Sequence, residues 1–515
     1  VFAVVVGGLA CLWSPHQINP DATAYFTIAE KYARFDFHAI NGYWGPLFSW
    51  LLVPFVWLGI GLDAAARGLS VVAAVAMIGL LYSFWRSRGL SRATSVSLCT
   101  VLAALFAGWV LLGATSPDML FTFLVVLFAV RLDRFLVVSS VRSGVGLGCI
   151  GAAMYFAKGF GFYLFLAAAL GIALWRWWQA GRRRAVRQIA PMFLSFVVLV
   201  APFILVLSLK YHQPTINTTG SYVHLAFGPA TQGGQPMLTS GPLAPPNSSA
   251  TTVWEDPTLL LPLMPDWNPF GSRDNFSYFW NKTIVRNIDA TLTALHDAGA
   301  LIAAAAMLLA LGCLVRGPGR TFRREFTLLA SLSLVMVGGY ALVLTEPRYL
   351  WPVIVLSLMS LGLWAARLEQ KHLLNGAQAM IAGVFIAWLY SSPLPAKVQD
   401  AHLSATEFYT QAQALKPHLP PHAKVIADNF IEYNTCYYLQ LRCYAVMRTP
   451  ASGEADAYYR QLKDAGITYF VDYHSRDSDP GLQVFLREHF AKSDTVVTPH
   501  THPLTPLSVT IYRLR

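Results

Sequence analysis

A chain of 515 residues that is 55% hydrophobic, with only 13% of its side chains charged, carries more apolar surface than a soluble fold of that length needs. Its mean hydropathy is +0.46, and long apolar runs alternate with short basic or Pro/Gly breaks, the pattern of a polytopic helical membrane protein. The net charge of +11 would suit a nucleic-acid binder, but the arginines gather in short loops between apolar runs; this excludes nucleic acid and implies membrane lipids as partners.

Apolar runs centre near residues 1–13, 64–84, 94–113, 118–138, 144–157, 160–175, 189–209, 291–315, 326–344, 349–366 and 376–391, which predicts about eleven spans, the fifth and sixth short. The first run starts without Met or a charged flank and shows no cleavable signal peptide, so the true N-terminus is expected upstream. Basic residues follow alternate spans: Arg86, Arg88 and Arg92; Arg131, Arg134 and Arg142; Arg176, Arg182, Arg183, Arg184 and Arg187; Arg316, Arg320, Arg323 and Arg324; Arg367 and Lys371. Together they put one face in the cytoplasm. The outer face then receives loops 14–58 and 210–290 and everything after about residue 392. The expected organisation is a transmembrane domain over 1–391 and a small extracytoplasmic α/β domain over 392–515, in a bacterial inner membrane.

Chemistry-bearing residues are sparse. The first outer loop contains Asp21, an amphipathic stretch with Tyr25, and then Trp44-Gly45-Pro46-Leu47. A carboxylate beside lipid is costly unless it has a function, although Asp also caps helices. Asp118, in Ser-Pro-Asp, carries the same two readings. Two outer-face carboxylates could converge, one as general base and the other as orienting group or ligand to a divalent cation such as Mg or Mn. Lys158, in Ala-Lys-Gly-Phe-Gly, either snorkels or contacts a phosphate. Arg348, in Glu-Pro-Arg-Tyr, either pairs with Glu346 or contacts a phosphate beside Tyr349. Segment 210–290, rich in Pro, Gly, Asn, Ser and Thr and holding Trp254, Trp267 and Trp280, is expected to be a lid or binding loop.

In the tail, strands are expected at 424–427, 468–471 and 508–512, with helices at 455–465 and 482–490. Cys11, Cys99, Cys149 and Cys313 sit in apolar spans as expected core residues. Cys436 and Cys443 form a disulfide or remain two buried thiols.

The order of these motifs resembles the GT-C superfamily of integral-membrane glycosyltransferases, in particular the branch holding protein O-mannosyltransferases and the lipid A aminoarabinose transferase. The resemblance rests on Asp21-Ala22-Thr23-Ala24-Tyr25, Trp44-Gly45-Pro46-Leu47, Pro117-Asp118, Lys158-Gly159 and Arg348-Tyr349 with Pro352, over roughly residues 1–365. The chain departs from it at Ala22, where many relatives have a second acid, and at Gly45, where lipid A-modifying relatives often have Lys. The resemblance implies a GT-C-like helix bundle and a polyprenyl-phosphate sugar as donor. It implies an acceptor hydroxyl on lipid, glycan or protein, with Asp21 as base, Asp118 in support, and Lys158 and Arg348 on the phosphate. Tyr25, Trp44 and Tyr349 would contact the donor. A transporter or a lipid-linked saccharide flippase would use many of the same spans, but is expected to place ionisable groups near mid-membrane. A scaffold that docks partners through its tail is a third reading.

Overall fold

The computed structural model describes residues 18–112, 115–297 and 319–371, most of 394–515, and a few single positions elsewhere. The protein is mainly helical, with one small sheet near its C-terminus. Helix α1 (Pro20–Ala33) and helix α2 (Pro46–Trp57) precede the long helices α3 (Leu62–Ser87), α4 (Arg92–Leu111), α5 (Asp118–Val137), α6 (Val141–Ala157), α7 (Phe160–Ala180) and α8 (Arg182–Tyr211). After a segment of short turns that includes α9 (Thr219–Ala226) come α10 (Arg286–Asp297), α11 (Gly319–Ala341) and α12 (Trp351–Gln370).

Among the described residues, five helices are long and apolar enough to cross a membrane: α3, α4, α7, α8 and α12. The expected spans at 118–138, 144–157 and 326–344 are helical too, but α6 is only 17 residues long and α5 carries Arg131, Asp133 and Arg134 in its last turns. The expected spans at 1–13 and 376–391, and 298–315 of the eighth, lie largely or wholly outside the described residues, as do Cys11 and Cys313. The sixth span is longer than its apolar run suggested, 21 residues in α7. The chain is a multi-pass membrane protein.

Local sequence sets the helix ends. Asn19, not Asp21, caps α1: its Oδ1 accepts from the Ala22 amide at 2.8 Å, and Pro20 takes the first helical position, where no N–H is needed. Asp21 is therefore released from capping. Ser91 caps α4, and Ser140 with Ser143 forms a capping box on α6. The bundle core packs α3 and α12 so closely that a Cβ on Gly362 would lie 2.1 Å from the indole nitrogen of the fully buried Trp85. Cys99 is half-buried and Cys149 exposed, so Cys149 belongs to the outer wall of the bundle rather than its core.

The C-terminal region has helices α13 (Leu394–Leu415), α14 (Glu432–Leu439), α15 (Ala455–Asp464) and α16 (Pro480–His489), with strands β1 (Lys424–Ala427), β2 (Arg442–Val446), β3 (Tyr469–Asp472), β4 (Phe490–Val497) and β5 (Ser508–Leu514). Sheet order is β2-β1-β3-β5-β4, parallel on the β2-β1-β3 side and antiparallel through β5 and β4. The expected strands and helices are present; β2 and β4 escaped the sequence reading. Strand β2 is short, and β4 (Phe-Ala-Lys-Ser-Asp-Thr-Val-Val) is polar along an edge with five consecutive exposed residues. Such an edge resists pairing with another chain. Cys436 and Cys443 are joined as a disulfide linking α14 to β2.

This sheet packs against the rest of the molecule. Phe26 of α1 meets Tyr437 of α14 at 5.6 Å between ring centroids, and the Asn434 amide donates to the Ile18 carbonyl. The long loop covers the β2 edge: Cys443 N–H donates to the Thr251 carbonyl at 2.7 Å, and Leu243 N–H donates to the Tyr444 carbonyl at 3.0 Å. Segment 210–290 is thus a built wall with turns and short helices, not a bare connection.

Candidate active site

The first turn of α1, the first residue of α5, the link between α6 and α7, and the turn before α12 meet around one cavity of about 440 Å³. Asp21, Tyr25, Trp44, Asp118, Lys158, Arg348 and Tyr349, every site residue expected from sequence, line it. Helix ends gather these groups because the chain breaks that carry them, before α1, α5 and α12 and between α6 and α7, lie at the same end of the bundle.

Two ion pairs organise the centre. Asp21 Oδ2 accepts from Arg348 at 2.5 Å, and Asp118 Oδ1 accepts from the Lys158 ammonium. Arg348 also lies 3.9 Å from Asp118 Oδ2, so it spans both carboxylates. The two local readings fail: Arg348 pairs with Asp21 instead of Glu346, and Lys158 is held inward instead of snorkelling. Burial pushes the Glu346 carboxyl up from its ordinary range, partly countered by Arg348. Asp118 is 3% exposed and takes a second bond, from Ser116 Oγ at 2.5 Å, whereas the Asp21 side chain is 23% exposed. That difference separates their chemistry: the half-open carboxylate can meet a substrate, and the buried one anchors the cations.

Aromatic rings shape the walls. The Lys158 ammonium sits 3.8 Å from the Tyr349 ring centroid and Arg348 sits 5.6 Å from it. Tyr349 stacks on Tyr340, which stacks on Phe160. On the other side Tyr25 meets Trp44 edge-on at 5.0 Å. Gly45 lets this segment approach α6: a Cβ there would lie 2.5 Å from the Ala157 carbonyl oxygen. The residue that relatives often place at this position as Lys could not enter without moving that backbone.

One residue that touches Asp21 was read in sequence only as part of the long outer segment. Trp254 donates its indole N–H to Asp21 Oδ1 at 3.2 Å, and its carbonyl accepts from the Trp44 indole at 2.9 Å. Its neighbour Glu255 forms a buried ion pair with Lys31 of α1 and accepts from Thr251. The next residue, Asp256, accepts from Lys210 at 2.7 Å and from Tyr211. The Trp-Glu-Asp run in an otherwise uncharged stretch was the available signal, because buried acids need cation partners.

A divalent cation takes several oxygen ligands and would compete with positive side chains. Here Asp21 and Asp118 are each engaged by a cationic side chain, and Arg348 lies between them. This donor set does not fit Mg or Mn.

No family model and no curated protein matches the sequence. Solved structures do. ArnT from Cupriavidus metallidurans in its apo state aligns with a TM-score of 0.57 at 12% identity, covering 99% of this chain and 96% of that one. The same protein bound to undecaprenyl phosphate aligns with a TM-score of 0.53 at 13% identity, with the same coverage. The mycobacterial arabinofuranosyltransferase AftD aligns at 17% identity with a TM-score of 0.45, covering 100% of this chain and 41% of that one. The chain therefore has, over nearly its whole length, the fold of ArnT, a GT-C glycosyltransferase.

Proposed function

We propose that the protein is a membrane glycosyltransferase that moves a sugar from a polyprenyl-phosphate donor to an acceptor hydroxyl on the extracytoplasmic face. One observation carries this reading: two carboxylates and two cations converge in a single cavity where apolar helices end, inside an ArnT-like fold. The ArnT structure bound to undecaprenyl phosphate supports a lipid phosphate as the donor's carrier.

The donor phosphate enters between Lys158 and Arg348. It competes with Asp21 for Arg348, so donor binding frees the Asp21 carboxylate that the resting ion pair occupies. The free carboxylate takes the proton of the acceptor hydroxyl. The acceptor oxygen bonds to the anomeric carbon as the bond from that carbon to the phosphate oxygen breaks. The leaving polyprenyl phosphate carries the new negative charge, which Lys158 and Arg348 stabilise. Asp118 keeps Lys158 in place. Trp254 orients Asp21, and Tyr25, Trp44 and Tyr349 provide ring faces for the sugar and the first isoprene. No step uses a divalent cation.

A transporter reading would want its ionisable groups at mid-depth. The four central groups lie instead at helix ends.

Reconstituted protein offered polyprenyl-phosphate sugars and nucleotide sugars in parallel tests the proposal. Transfer is expected only from the lipid-linked donor, and chelator should not reduce it. Lys158→Ala or Arg348→Ala should weaken donor use by about 1–3 kcal/mol each and leave acceptor use nearly unchanged. Robust transfer from a nucleotide sugar alone would sink the idea.

A further inference from the structure

The bundle end away from Asp21 is rich in arginine. Asp118 opens α5 in the active-site cavity, and Asp133 lies about 22 Å further along the same helix at 1.5 Å per residue. There Asp133 accepts from Arg88 and, at 2.9 Å, from Arg324, while Glu325 lies 2.6 Å from Arg88 Nε, tying α3, α5 and α11 together.

Beside this knot runs a groove of about 780 Å³ between α5, α7 and α11, walled by Leu132, Leu136, Ala168, Ile172, Leu328 and Val335. From Arg323 to Val335 it extends roughly 18 Å along α11. Half a hydrocarbon core is about 15 Å, so the groove matches one acyl chain within one leaflet. At its arginine end the lining changes to Trp175, Gln179, Arg323 and Arg324. Arg323 is exposed, and its guanidinium has no hydrogen bond or ion pair among the described residues. Arg324 Nε is buried without a partner. Arg324 also lines the adjoining cavity of about 1100 Å³, where, among the described residues, Arg88, Arg131, Arg134 and Arg142 have Asp133 and Glu325 as lining counter-charges.

We propose that this groove binds an anionic phospholipid, with one acyl chain along α5, α7 and α11 and the headgroup phosphate on Arg323 and Arg324. The two halves of the site require both parts of the ligand. A soluble anion would satisfy the arginines and leave the apolar groove bare. A lipid without net negative charge would fill the groove and leave the guanidinium excess uncompensated. The site is independent of the sugar-transfer cavity at the other end of α5.

The test uses the full chain in nanodiscs of equal phosphatidylglycerol and phosphatidylcholine, released and weighed by native mass spectrometry. Wild type is expected to retain phosphatidylglycerol preferentially. Arg323→Gln should reduce that preference about five-fold, the factor for one basic residue near a membrane phosphate. Gly171→Trp, at an exposed groove position where an added Cβ meets no atom within 4 Å, should occlude the groove and remove both lipids. Equal retention of the two lipids by wild type would overturn the proposal. So would undiminished retention in Gly171→Trp, an unchanged preference in Arg323→Gln, or release of phosphatidylglycerol by excess inorganic phosphate.

Discussion

Asp21 has two bonds and neither belongs to a helix cap. Because Asn19 caps α1, Asp21→Asn should leave the fold intact, and loss of the base should cut transfer by about 10²–10⁴-fold. A turnover assay with a melting curve on the same sample checks both halves; near-normal turnover would remove Asp21 from the chemistry. The Lys31–Glu255 pair makes a different demand. Both side chains are almost fully buried, so Glu255→Gln strands an ammonium without its counter-charge. Breaking such a pair costs about 3–5 kcal/mol, whereas replacing both partners with apolar residues costs much less. Thermal unfolding should therefore fall sharply in Glu255→Gln and recover in the Lys31→Met, Glu255→Leu double variant. Transfer should fall with it, since Trp254 shares that turn.

At the scale of elements, the site depends on the long outer segment as much as on helices. Residues 251–256 pin α1, the Trp44 segment and the end of α8 to one another through Glu255, Trp254 and Asp256. In the sheet, Asp472 at the end of β3 is buried near Asp428. Desolvation and the Asp428 carboxylate push it up to about 6. Its folded form thus holds a proton more tightly than the unfolded chain, whose ordinary value is 3.8. The stability it contributes is full below about pH 4 and is lost as pH rises towards 6. Protection of β3 amides, relative to their intrinsic exchange rates at each pH, should fall over that window, and Asp472→Asn should flatten the profile. A β3 region that grows more protected from pH 4 to 6 would contradict the assignment.

For the whole molecule, five of the arginines that follow alternate apolar runs do share one end. Arg88, Arg131, Arg134, Arg142 and Arg324 line a single cavity, and Asp21, Asp118, Lys158 and Arg348 line another at the opposite end of α5. The proposed orientation puts the arginine end in the cytoplasm and the sheet and the Asp21 cavity outside. A periplasm-active reporter fused after Arg515 should therefore be active and a cytoplasm-active one silent; the reverse pattern would invert the orientation and remove the proposed donor from reach.

Much of this was legible before any coordinates. Hydropathy located the long helices, because a span must bury about 20 residues' worth of backbone polarity on its own. Loop charge sorted the ends of the helices, since lipid and potential act on each loop separately. Strands β1, β3 and β5 announced themselves by β-branched and aromatic runs. The chain alone also nominated Asp21, Asp118, Lys158 and Arg348, through the scarcity of charge in an apolar sequence. Pairing was a different matter. That Arg348 reaches Asp21 across 327 positions, that Lys158 turns inward to Asp118, and that Trp254 holds Asp21 are facts of packing. Local sequence offered Arg348 a neighbour in Glu346 and Asp21 a cap to form, and both were plausible at short range. Tertiary structure overrode them because a buried charge takes whichever opposite charge the folded core brings nearest, and sequence distance has no part in that energy.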